Sequence, residues 1–118
     1  MVDLPGSAPG PAHQVPQDGP LYRIGDGIHR SLAARQMGHS EIQAIELTRD
    51  GATANLGRIP LTRLFVDVNK ASIPMDDRWQ RALEEVGRGQ AHPIEVTGIT
   101  PEKAKLLLPL SLVKMKRL

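Results

Sequence analysis

The first twenty residues contain five prolines and three glycines, almost no large apolar side chain and no periodicity. Such a composition cannot bury enough surface to offset the entropy of ordering its chain, so residues 1–20 are expected to form a flexible Pro/Gly-rich linker. The folded part must then be assembled from residues 21–118, which leaves room for one domain. A segment of this kind ahead of a domain suggests a module attached to something longer. Forty per cent of the 118 residues are apolar, enough for a modest core. Cysteine is missing altogether, which removes disulfides, thiolate nucleophiles and zinc–thiolate sites at once. No apolar run reaches the roughly 18 residues that a membrane-spanning helix needs. The N-terminus lacks the basic-then-apolar order of a secretion signal.

The net charge of +2 conceals an uneven distribution. Residues 1–20 hold Asp3 and Asp18 and no base, and residues 21–102 set ten basic side chains against eleven acidic ones. The last sixteen residues carry Lys103, Lys105, Lys114, Lys116 and Arg117 with no acid. A basic end of this kind suits contact with a phosphate backbone, because neutralising phosphates releases counterions. It serves equally to keep an apolar terminal strand soluble.

Residues 21–24 read as a short strand ended by Gly25, with Asp26–Gly27 as a turn. Residues 28–37 place Ile28, Leu32, Ala33 and Met37 on one helical face, and Gly38 is the stop. Residues 41–48 alternate as a strand ended by Asp50–Gly51, and residues 51–58 are expected to be a loop. Residues 61–68 form the next strand candidate, with Leu64, Val66 and Val68 on one side and Phe65 on the other. Pro74 and Asp76 open a helix whose Trp79, Ala82, Leu83 and Val86 fall at i, i+3, i+4 and i+7; Gly87 and Gly89 close it. Residues 93–97 form a strand that starts at proline, where the missing N–H costs least. Thr100 caps a short helix with Pro101 at its first position, ending near Pro109, and residues 110–116 form a last strand. The expectation is one small α/β domain of mixed α+β character.

Residues 22–38 (YRIGDGIHRSLAARQMG) gather the chemistry. They present a strand, a glycine-flanked turn, and a helix whose first turn carries His29 and Arg30. Free N–H groups and a positive macrodipole make a helix N-terminus attractive to anions. Gly25 and Gly27 would let a phosphate approach the backbone, with Ser31 completing an amide-lined cradle over residues 25–31. Arg30 offers a planar fork for phosphate oxygens. His29 can donate to such an oxygen or act as acid or base near neutral pH. On spacing alone the segment reads equally well as a tight turn with a surface His and Arg, and Asp26 as a turn or capping residue.

The string DGIHRSLAARQMG, followed by the apolar run from Ile42, resembles the signature of the ParB/sulfiredoxin superfamily. In that family a Gly-x-x-Arg or Asp-Gly-His-His-Arg element and the helix after it cradle nucleotide phosphates; Gly27, His29 and Arg30 are the matching positions. Sulfiredoxins carry a catalytic cysteine just before the His-Arg pair, where this chain has Ile28, so their sulfinic-acid chemistry is excluded. A second block that the family places first comes afterwards here: residues 59–64 resemble its leading strand, 74–86 its helix and 89–96 its glycine and closing strand. The resemblance covers residues 21–97 in reversed order and implies a circularly permuted ParB-like domain, which a compact fold with neighbouring termini tolerates. It implies that Gln90 and His92, just before the closing strand, are polar nucleotide contacts, and that Asp67, Asn69 and Lys70 end the leading strand at the same cleft. Asp26 and Asp67 could then hold a divalent ion such as Mg2+, since hard oxygen ligands suit magnesium beside phosphates. The bland alternatives are a solubilising strand end for Asp67 and a satisfied loop residue for His92.

Three functions from different classes are expected. The first is a phosphodiesterase cleaving nucleic acid, DNA in preference to RNA, at the tip of a secreted bacterial toxin. Arg30 and the helix amides would stabilise charge, His29 or His92 would act as acid or base, and Asp26 would bind metal or orient. Its partners would be nucleic acid and a cognate immunity protein, and it would act in a target cell's cytoplasm after delivery without a classical signal peptide. The second is a switch that binds CTP or ATP, as chromosome-partition proteins do, although 118 residues leave no room for their helix-turn-helix domain. The third is a non-enzymatic interaction domain with a relic anion pocket.

Overall fold

A computed structural model describes residues 19–117, so the linker expected over 1–20 lies outside the described residues apart from the exposed Gly19 and Pro20. The elements run β1 (Leu21–Asp26), α1 (Ile28–Gln36), β2 (Glu41–Leu47), β3 (Thr53–Pro60), β4 (Leu64–Val66), β5 (Ser72–Pro74), α2 (Asp77–Gly87), β6 (Ile94–Ile99), α3 (Pro101–Ala104), β7 (Leu108–Pro109) and β8 (Lys114–Lys116), with short 3-10 turns at Leu61–Arg63, Val68–Lys70 and Leu110–Leu112. Six strands form one mixed sheet in the order β3-β2-β6-β1-β4-β7, while β5 and β8 form a separate two-stranded ribbon. This is the small α/β domain expected. No helix among the described residues is long and apolar enough to cross a membrane.

α1 and α2 pack against each other over one face of the sheet. α2 buries Trp79, Ala82 and Val86 as its spacing predicts, with Leu83 packed at the margin, and Asp76 caps it by accepting the Arg78 amide at 3.0 Å. α1 buries Leu32, Ala33 and Ala34, while Met37 is left exposed. These side chains meet Ile24, Ile42, Ala44, Leu64, Val66, Ile94 and Val96 from the sheet. Phe65 points to the opposite face and joins Leu21 and Ala104 in a second cluster, which is the alternation that a strand imposes.

Three expectations about strands need correction. Residues 51–58 are not a loop: Thr53–Pro60 pairs with β2 along its whole length. A turn closed by Thr48 N–H to the Ala52 carbonyl (2.8 Å), with Gly51 at φ +88°, makes a hairpin of β2 and β3. β3 lies at the sheet edge and buries only Ile59, so it needs backbone partners rather than an apolar stripe, and Gly57 and Asn55 are tolerated at a bulge beside Leu56. The strand expected over 61–68 shrinks to Leu64–Val66, because a 3-10 turn on each side bends the chain, and Val68 is exposed. The last strand begins only at Lys114 and joins β5 instead of the main sheet.

Candidate functional site

β1 and α1 are joined at Gly27, and beside this junction opens a cleft of about 610 Å³. Its walls are the end of β1, the first turn of α1, Asp67, Asn69 and Lys70 after β4, strand β5, and Arg78, Arg81 and Glu85 of α2. The volume lies within the roughly 300–1,000 Å³ of small-ligand sites. The fold thus brings Gly25, Asp26, Gly27, His29, Arg30, Asp67, Asn69 and Lys70 to one cavity. It leaves Ser31, Gln90 and His92 outside it.

The junction is built by packing. Gly27 has φ +109°, and a Cβ there would lie 2.4 Å from Ile94 Cγ2, so glycine at 27 seats the turn on β6. Gly25 differs: its backbone is ordinary, and a Cβ would meet only the Glu95 carbonyl, at 3.5 Å. Ser31 is fully buried, and its hydroxyl donates to the Gly27 carbonyl at 2.9 Å, so it fastens the helix start instead of facing a ligand.

Arg30 departs from the open fork expected of it. Its Nη1 donates to the carbonyls of His92 (2.8 Å) and Pro93 (3.1 Å), and its Nη2 donates to Asp26 Oδ2 at 3.2 Å. Glu85 Oε2 stands 4.0 Å from Nη1. The guanidinium ties α1 to the segment entering β6, and Arg30 does meet His92, but at its carbonyl. The His92 imidazole is largely exposed, with Nδ1 3.7 Å from Glu85 Oε2. Gln90, at φ +59°, imitates a strand neighbour: its Oε1 accepts the Gln43 amide and its Nε2 donates to the Gln43 carbonyl, both at 3.0 Å. Gln90 and His92 therefore hold the loop before β6 and do not line the cleft.

The two aspartates expected to hold a divalent ion both pair with arginines. Asp67 accepts two hydrogen bonds from Arg23, Nε to Oδ1 at 2.9 Å and Nη2 to Oδ2 at 2.6 Å. This bidentate grip holds the Asp67 carboxyl below its usual range and raises Arg23. Asp26 accepts from Arg30 through Oδ2 alone, at 3.2 Å, so a divalent ion between the two aspartates would compete chiefly with the Arg23 grip on Asp67. Among the described residues no group of three or more His, Asp or Glu side chains could hold a metal ion.

His29 is the exception to this internal satisfaction. Its Nε2 is buried and has no hydrogen-bond partner, and no other buried side-chain nitrogen or oxygen among the described residues shares that state. Asp76 Oδ1 is 4.0 Å away, beyond hydrogen-bonding distance, and that carboxylate is itself taken by Arg78. Burial, and then the nearby Arg78 charge, push the His29 pKa below its usual 6.5 despite Asp76, with Lys70 acting in the same direction as Arg78. The lowered pKa favours the neutral imidazole, which has a lone pair or an N–H to offer. Lys70 and Arg81 line the cleft, and their side chains make no ion pair or hydrogen bond among the described residues.

Arg23, Arg78 and Arg81 were not among the residues singled out from sequence. Arg78, Arg81 and Glu85 precede the buried Trp79, Ala82 and Val86 by one residue each, so they form the stripe flanking the apolar face. That stripe is visible in the helical spacing once α2 is known to overhang the cleft. No family model, curated protein or solved structure matches this chain.

Proposed function

We propose that this protein is a phosphodiesterase acting on nucleic acid, with the scissile phosphate in the cleft and His29 as its proton acceptor. The observation that carries the reading is the buried, unpartnered Nε2 of His29, a residue that lines a cationic cavity. A buried polar atom left without a partner costs stability, and it persists at sites where something else uses it. In the step envisaged, a water molecule attacks phosphorus as Nε2 takes its proton; a P–O bond forms, the ester P–O bond breaks, and the leaving oxygen is protonated by solvent. Lys70, Arg78 and Arg81 balance the charge that builds on the non-bridging oxygens, with the N-terminal amides of α1. Arg30 and Asp26 position the turn that bears His29.

The resemblance of residues 22–38 to the ParB/sulfiredoxin superfamily agrees with this reading, and the permuted order, the toxin setting and an immunity partner rest on that resemblance alone. A CTP- or ATP-binding switch would use the same cleft, whose volume suits a nucleotide. Plasmid nicking tests the proposal: the wild type should cleave, and His29→Ala should lose roughly 10²–10⁴-fold, the usual contribution of a general base. Equal cleavage by the two proteins sinks it. Calorimetric titration that finds tight CTP or ATP binding without nicking favours the switch.

A further inference from the structure

We propose that the β5–β8 ribbon extends the cleft into a second contact for a sugar-phosphate backbone, and that the substrate is duplex nucleic acid gripped by its backbone and not by its bases. The inference rests on the phosphodiesterase reading of the cleft and adds the substrate class to it.

The register of the ribbon carries the first half. Ser72 pairs with Lys114, Ile73 with Met115 and Pro74 with Lys116. Paired residues share a face, and successive residues alternate. Ile73 and Met115 turn to the core, so Lys114 and Lys116 stand on the exposed face of the ribbon beside Ser72 and Pro74, and all three residues of β5 border the cleft. Neighbouring strands lie about 4.8 Å apart and alternate residues along one strand about 6.6 Å apart, so the two lysines are set on the strand next to the cleft-lining β5. Lys70 lies at the same end, since the carbonyl of Ala71 accepts the Lys114 amide at 2.8 Å. No acidic residue follows Glu102 in the sequence, and Arg117 succeeds the ribbon. The pairing of β8 with β5 thus fixes both lysines beside a strand that borders the cleft, at the end where Lys70 lies.

The second half comes from the aromatic residues. The chain has only Tyr22, Phe65 and Trp79, and none is more than 6% exposed. Proteins that hold single strands combine a basic groove with aromatic rings on which bases stack, and this surface offers no such ring. What it offers is positive charge, which a duplex, with one phosphate charge per roughly 1.7 Å of axis, satisfies best.

Fluorescence anisotropy over a salt series, in a His29→Ala background that keeps the nucleic acid intact, tests both halves. A blunt duplex should bind more tightly than either of its single strands and independently of its sequence. Lys114→Gln with Lys116→Gln should reduce the slope of log K against log salt by about 1.8, close to 0.9 for each phosphate that is no longer neutralised. Lys114→Glu with Lys116→Glu should weaken binding further. The matched pair Arg49→Gln and Arg58→Gln, on the β2–β3 hairpin at the opposite edge of the sheet, should leave the slope unchanged. An unaltered slope in the lysine variants, single strands bound as tightly as duplex, or no duplex binding at all overturns the inference. A lysine-dependent slope in a protein that cleaves neither plasmid nor a small aryl phosphodiester leaves the ribbon standing and removes the phosphodiesterase. Plasmid cleavage that ignores the lysines at every salt concentration does the reverse.

Discussion

On the β1–α1 side of the cleft the polar groups turn inward. Arg30 donates to two carbonyls and to Asp26, Ser31 returns its hydroxyl to Gly27, and Gly27 presses on Ile94. On the facing side, the side chains of Lys70 and Arg81 reach the same cavity and make no ion pair or hydrogen bond among the described residues. The two walls share one cavity and divide the labour: the first holds the geometry, and the second supplies uncommitted charge. His29 belongs by sequence to the first wall and by chemistry to the second. A motif at a helix start can therefore look like a binding site throughout while most of its residues fasten the fold.

The largest expected effect lies within the first wall, at Gly27. An alanine there would combine a strained positive φ with a Cβ at 2.4 Å from Ile94, and the two costs together are about 3 kcal/mol or more. Urea denaturation should show that loss, or a protein that does not fold. Gly25→Ala, where the nearest neighbour is at an ordinary 3.5 Å, should cost less than about 1 kcal/mol. Comparable losses at the two glycines would mean that the junction is not held by its packing on β6.

Next comes a pair of arginines. Arg30→Ala removes three donated bonds from a guanidinium that is only 15% exposed, and should cost about 2 kcal/mol, the range for hydrogen bonds to a charged group. Arg30→Lys should not restore it, because an ammonium cannot span the same fork. Arg81→Ala should change stability by less than about 0.5 kcal/mol while weakening nucleic-acid binding at low salt more than at high salt. Chemical denaturation and anisotropy on the same two variants decide the matter. A fully stable Arg30→Ala that no longer binds would return Arg30 to the ligand-facing wall.

How far these features could be read from sequence depends on the range of the forces behind them. The Trp79–Ala82–Val86 face, the Asp76 and Thr100 caps and the opposed Leu64 and Phe65 are local or periodic, and each is legible. β3 is not, because its strand conformation comes from pairing with β2, not from apolar residues of its own. Within the site, the Gly27 turn and Arg30 stand out by pattern, but what they touch does not: Ile94, which packs on Gly27, and the His92 and Pro93 carbonyls, which accept from Arg30, lie more than sixty residues away along the chain. Likewise, nothing near Arg23 or Asp67 in sequence announces their pair, which forms because β1 and β4 are parallel neighbours. The closed side chains mimic open ones until their distant partners are known.

The smallest expected effect distinguishes His29 from the aspartates around it. Its folded pKa is depressed by burial and by Arg78, so the unfolded chain binds a proton first as the pH falls. Stability should therefore decline as the pH drops below about 6.5, the unfolded value, and the decline should end once the folded imidazole is itself protonated. Asp67 and Asp76 are depressed as well, by Arg23 and by Arg78, but their contribution is present above the unfolded 3.8 and vanishes only as the pH falls beneath it. The two windows do not coincide. Thermal melts at a series of pH values should show a shallow step just under about pH 6.5 that His29→Gln abolishes, with the acid limb below about pH 4 retained. A step that survives the substitution would assign it to another group and deprive the orphaned imidazole of its distinctive charge state.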